Sequence, residues 1–69
     1  NKLEISLRQT GDDTYRVQLL NLDYEIPMEV LTSSGKQKIL ISKTPVTITS
    51  TSLPILDQDV YYLKKIIVE

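Results

Sequence analysis

Apolar and polar side chains alternate along most of the chain with a period of two, the repeat of a strand that buries one face. Leu3, Ile5 and Leu7 alternate with Glu4, Ser6 and Arg8, and Tyr15, Val17 and Leu19 alternate with Arg16 and Gln18. Between the two runs lies Thr10-Gly11-Asp12-Asp13, rich in residues that accept turn geometry or bond their own backbone. Together they predict a hairpin. Ile26, Met28 and Val30 then alternate with Glu25, Pro27 and Glu29. Pro27 cannot donate a ladder hydrogen bond, which places this strand at an edge or starts it late. Thr32-Ser33-Ser34-Gly35 predicts a second turn, Ile39-Leu40-Ile41 a short strand, and Val46-Thr47-Ile48-Thr49 another strand after Pro45. Ser50-Thr51-Ser52 is low in apolar content but compatible with extended backbone.

The final stretch supports two patterns. Asp57 or Asp59 fits the cap of a helix carrying Val60, Leu63 and Ile67 on one face. Against this, Ile66-Ile67-Val68 is a β-branched run that lowers helix propensity. Lys64 and Lys65 also sit poorly in a helix that must bury Tyr61 and Ile66. The preferred reading is a turn over residues 57–60 and a last strand over 62–68. The expected fold is all-β, a small immunoglobulin-like antiparallel β-sandwich of about six or seven short strands. It forms a single domain over residues 1–69.

Composition narrows the chemistry. A chain of 69 residues makes one small domain, and it has no Cys, His or Trp. A thiolate–imidazole zinc site, a Cys nucleophile, a His general base and a Ser/His/Asp triad are therefore excluded, as are disulfides. No catalytic residue, metal ligand or cofactor site is assigned. The acidic pairs Asp12-Asp13 and Asp57-x-Asp59 lack the ligand spacing of a calcium loop and read as solvated turn or capping aspartates. Ser33-Ser34-Gly35-Lys36 lacks the full pattern of a phosphate-binding loop. Tyr15, Tyr24, Tyr61 and Tyr62 read as strand residues before stacking platforms, and an extended Tyr61-Tyr62 would point to opposite faces.

Eight Lys/Arg against nine Asp/Glu give a formal charge of −1. The lysines Lys36, Lys38, Lys43, Lys64 and Lys65 are interleaved with apolar residues, the pattern of solvated strand faces, so no nucleic-acid partner is expected. No apolar run approaches the roughly 18–20 residues of a membrane span, and no membrane partner is expected either. The chain opens on Asn1-Lys2 without an initiator Met, as expected if a leading segment was removed or if it is excised from a longer polypeptide, and its compartment is left open. Pro27 and the strand lysines discourage edge-to-edge pairing and predict a monomer.

A domain of this size buries only about 60% of its unfolded surface. Here it must do so without Phe or Trp. Leu20, Leu31 and Leu40 nonetheless take the outward parity, opposite Leu19, Val30 and Ile41. Either they fold over strand ends and bulges, or they form an apolar patch that another domain covers.

One resemblance bears on that choice. Tyr15-Arg-Val-Gln-Leu-Leu-Asn leads to Ile26-Pro-Met-Glu-Val, a Ser-Ser-Gly-Lys turn, and the closing Leu53-Pro-Ile-Leu-Asp57-Gln-Asp59-Val-Tyr-Tyr-Leu63. Residues 14–68 thereby resemble the β-sandwich domain that follows the catalytic domain in aminopeptidase-N-like zinc metallopeptidases (gluzincins), particularly bacterial ones. Gln58 stands where those domains often carry Pro, and the aromatic common in their fifth strand is absent. The family's His-Glu-x-x-His zinc helix has no counterpart in a chain without histidine. The resemblance implies a non-catalytic accessory domain that packs against and supports the catalytic domain, with neighbouring domains of the same polypeptide as its partners. Leu20, Leu31 and Leu40 would then contribute to the docking surface. The alternative is a free-standing binding or adhesion module of fibronectin or immunoglobulin type. A small enzyme using carboxylates alone ranks last.

Overall fold

The computed structural model describes residues 2–69. It contains seven strands and no helix among those residues: β1 Leu3–Gln9, β2 Thr14–Leu19, β3 Ile26–Thr32, β4 Gly35–Ile41, β5 Val46–Thr49, β6 Ile55–Leu56 and β7 Lys64–Val68. They form two sheets, one in the order β5-β2-β1-β7 and the other β4-β3-β6. The expected all-β sandwich is the observed one. All pairings are antiparallel except that of β1 with β7, which is parallel and brings the two ends of the chain side by side.

The alternation fixes which face meets the core. Leu3, Ile5 and Leu7 of β1 and Tyr15, Val17 and Leu19 of β2 are buried, and they face Met28 and Val30 of β3, Ile41 of β4, Ile48 of β5 and Leu56 of β6. Ile5, Val17, Leu19, Val30 and Ile41 have no solvent exposure at all. The β1–β2 hairpin has the predicted register, with Ile5 opposite Leu19 and Leu7 opposite Val17. Its turn closes through the Thr10 N–H, which donates to the Thr14 carbonyl at 2.9 Å.

Four departures from the sequence reading have physical causes. β4 begins at Gly35, four residues before the apolar run, because Lys36, Gln37 and Lys38 pair with Leu31, Val30 and Glu29 of β3 as part of the outer strand of that sheet. Gly35 accepts a φ of 109°, which a side-chain-bearing residue rarely adopts. β3 is not an edge strand. It is central, but beside Pro27 its second neighbour β6 is absent, since β6 reaches only Val30 and Leu31. The missing N–H of Pro27 therefore removes no ladder bond. β7 starts at Lys64 and not at 62, because the N–H groups of Tyr61 and Tyr62 are already bound elsewhere. Lastly, Ser50 is buried in a turn after β5, where its hydroxyl accepts from Ser33 N–H at 3.1 Å and donates to the Ser52 carbonyl at 2.6 Å.

Candidate functional site

The segment between β6 and β7 is organised by one carboxylate. After Leu56, the Asp57 N–H still donates to the Glu29 carbonyl at 2.7 Å, continuing the β3–β6 ladder by one bond. The backbone then turns sharply. Asp57 takes φ 55° and Val60 φ 56°, and the Val60 N–H donates to the Asp57 carbonyl at 2.9 Å. Positive φ is tolerated by Asp but is a genuine outlier for a β-branched residue. Such conformations persist only where the surroundings over-determine them.

Asp57 supplies that determination. Its side chain is 2% exposed. Oδ1 accepts the Tyr61 N–H at 3.1 Å, and Oδ2 accepts the Tyr62 N–H at 2.9 Å and the Lys64 ammonium at 3.2 Å. Burial alone would raise the acid's pKa, but the two backbone N–H bonds and the lysine outweigh it and hold the carboxyl below its ordinary range. The expected turn over residues 57–60 is observed, but Asp57 caps no helix there and is buried, not solvated. Asp59 is exposed and lies 3.8 Å from the Lys36 ammonium.

Tyr62 completes the closure. Its hydroxyl donates to the Pro27 carbonyl at 2.9 Å, on the side of β3 that β6 leaves unpaired. The ring packs against the core. With the segment fixed in this way, its other apolar side chains point to water: Val60 is 68% exposed, Tyr61 77% and Leu63 74%. Tyr61 and Tyr62 both line a cleft of about 220 Å³ together with Pro27, Glu29, Lys38 and Asp57. An extended tyrosine pair could not share one cleft; the bend at Tyr62 makes it possible.

Pro27, Glu29 and Lys38 belong to the outer face of the three-stranded sheet, as do Leu31, Lys36, Leu40 and Ile55 by strand parity and register. Leu40 is 53% exposed and lies opposite Pro27, while half-buried Leu31 lies opposite Ile55, itself 47% exposed. Two of the three outward leucines therefore flank the cleft at opposite ends of one sheet face. Leu20, 41% exposed, does not join them on that sheet. It follows β2, whose sheet is the other one, because residues 21–25 carry the chain across the sandwich. The sequence reading missed the exposed Val60-Tyr61-x-Leu63 group. Its only local signal was an apolar run directly after a turn rich in Asp.

No family model, curated protein or solved structure matches the chain.

Proposed function

We propose that this chain is a non-catalytic accessory β-sandwich that docks against a neighbouring domain through the outer face of its three-stranded sheet and the adjoining segment 60–63. The observation that carries the reading is the exposure of Val60, Tyr61 and Leu63 on a segment pinned by a buried carboxylate. Apolar side chains held in water by a fixed backbone lose little conformational freedom when a partner covers them, so more of their burial appears as affinity. Tyr61 is well suited to such a contact, with a large ring and few rotatable bonds. The cleft beside it, with Leu40 and Leu31–Ile55 at its two ends, gives that contact relief and polar anchors in Glu29 and Lys38.

The resemblance to the post-catalytic sandwich of aminopeptidase-N-like enzymes supplies the neighbour: a zinc metallopeptidase domain of the same polypeptide, of bacterial type, which this chain would pack against and support. In that arrangement the zinc chemistry belongs to the neighbour, consistent with a chain that has no histidine. The test is made on the parent polypeptide with Leu40→Ser and Tyr61→Ser combined. Both residues are exposed, so the fold of this chain should be retained while the catalytic domain becomes more sensitive to proteolysis and heat. Unchanged stability of the neighbouring domain would overturn the docking reading. An upstream array of repeated sandwich modules in place of a His-Glu-x-x-His helix would instead favour the adhesion module.

A further inference from the structure

β7 forms one margin of the four-stranded sheet, and among the described residues no strand pairs with its other side. The phase of the ladder shows which groups are open. Leu3 N–H donates to the Leu63 carbonyl and Glu69 N–H to the Leu7 carbonyl, both at 2.9 Å. In a parallel ladder, alternate residues of a strand bond the same neighbour, so residues 63, 65, 67 and 69 turn their backbone groups towards β1. Those of Lys64, Ile66 and Val68 turn outwards. The side chains divide just as regularly. Ile66 and Val68 share the core face with Ile5 and Leu7, whereas Lys65, Ile67 and Glu69 share the outer face with Glu4 and Ser6. Val68 is 59% exposed although it lies on the core face.

We infer that β7 is a self-pairing edge, at which two copies of this chain join antiparallel with Ile67 of one copy opposite Ile67 of the other. That register places Lys65 opposite Glu69 and Ile66 opposite Val68, each twice through the two-fold axis. The outward backbone groups of Ile66 and Val68 meet as hydrogen-bonded pairs, and Ile66 of each copy covers the exposed Val68 of the other. Other registers are worse. Setting Ile66 opposite Ile66 puts Lys65 against Ile67; setting Lys65 opposite itself brings like charges together, which is destabilising. Registers shifted by one residue oppose outward backbone groups to inward ones and set core faces against solvent faces. Lysines on an edge strand ordinarily deter pairing. Here Glu69, four residues after Lys65, turns the same lysine into an attraction between copies. Among the described residues Lys65 has no carboxylate within salt-bridge distance, and one Glu69 oxygen accepts from the Ser6 hydroxyl at 3.0 Å. The edge lies in the other sheet from the proposed docking face and does not depend on that reading.

A contact of this length buries less than the roughly 1,200 Å² of a stable complex, so the expected association is weak, with a dissociation constant on the order of 10⁻⁴ M. Sedimentation velocity and amide exchange on the 69-residue chain, from about 10 µM to about 1 mM, test it. The expected result is a shift towards dimer in which the Ile66 and Val68 amides gain protection with concentration, while those of Lys65 and Ile67 are protected throughout. Lys65→Glu and Glu69→Lys should each weaken association by about tenfold or more, and mixing the two variants in equal amounts should restore it. Both side chains are exposed, and unchanged circular dichroism of each variant checks that the fold is retained. A monomer at the highest concentration overturns the inference. So does association that both charge reversals leave intact, or protection of Ile66 and Val68 that appears only when a different polypeptide is added.

Discussion

The β1–β2 hairpin and the segment 57–63 are held in place by different physics. In the hairpin, Leu3, Ile5, Leu7, Tyr15, Val17 and Leu19 alternate into the core, and Ile5, Val17 and Leu19 are fully shielded. Its order comes from apolar burial spread over many contacts. In the segment, Tyr62 alone reaches the core, and the conformation depends on the Asp57 carboxylate with its two N–H donors and one ammonium. Spread burial tolerates local change by degrees, whereas a single acceptor with three donors fails together when it is removed. The difference also separates tasks: one region supplies stability, and the other holds apolar side chains in water at a defined place.

Three substitutions and one titration would sharpen that contrast. Ile5→Ala should have the largest effect, lowering global stability by roughly 2–5 kcal/mol through lost transfer energy and a residual cavity. Urea denaturation should show one earlier transition, with all strands losing amide protection together. Asp57→Ala should cost less, about 1–3 kcal/mol, because it leaves polar donors unpaired without opening the main core. Its effect should be concentrated in residues 57–64, as measured by site-resolved hydrogen exchange.

Acid should act on the same group. The Asp57 carboxyl lies below its ordinary range in the folded chain, so the unfolded chain binds its proton first as pH falls. Its contribution is therefore complete above the ordinary value of about 3.9 and is lost as pH drops through the lowered folded value. Between about pH 5 and about pH 2, the urea midpoint of the native chain should fall further than that of Asp57→Asn, which has no carboxyl to protonate there. Equal falls would remove Asp57 from the account. Val60→Gly should have the smallest effect and the opposite sign, a gain of up to about 1 kcal/mol, because glycine accepts positive φ without strain. A loss of stability would show that the exposed Val60 side chain makes contacts the structure does not contain.

The same division explains what could be read from the sequence. Strict alternation identified β1, β2 and β5, and parity correctly placed Leu19, Val30 and Ile41 in the core with Leu20 and Leu40 outside. It could not show that Leu20 belongs to a different sheet from Leu31 and Leu40, because parity carries no information about which strands are neighbours. The polar half of β4 has no apolar alternation to reveal it, and β6 is too short for any period to appear. The parallel pairing of β1 and β7 joins distant parts of the chain and leaves no local signature. The candidate site was the least legible region. Asp57 was recognisable as a turn residue, but it binds Tyr61 and Tyr62 through their backbone N–H groups, which the side-chain pattern does not report, and Lys64 beyond the turn at the start of β7.

The most direct test of the account is hydrogen exchange at the amides of Tyr61 and Tyr62, compared between the native chain and Asp57→Ala. The account predicts that both amides are protected in the native chain and exchange by about tenfold or more faster in the variant, as loss of at least one charge-assisted bond requires, while the Val17 and Leu19 amides keep most of their protection. Equal protection of Tyr61 and Tyr62 in the two proteins would contradict it, because the exposed apolar segment would then owe its position to something other than Asp57.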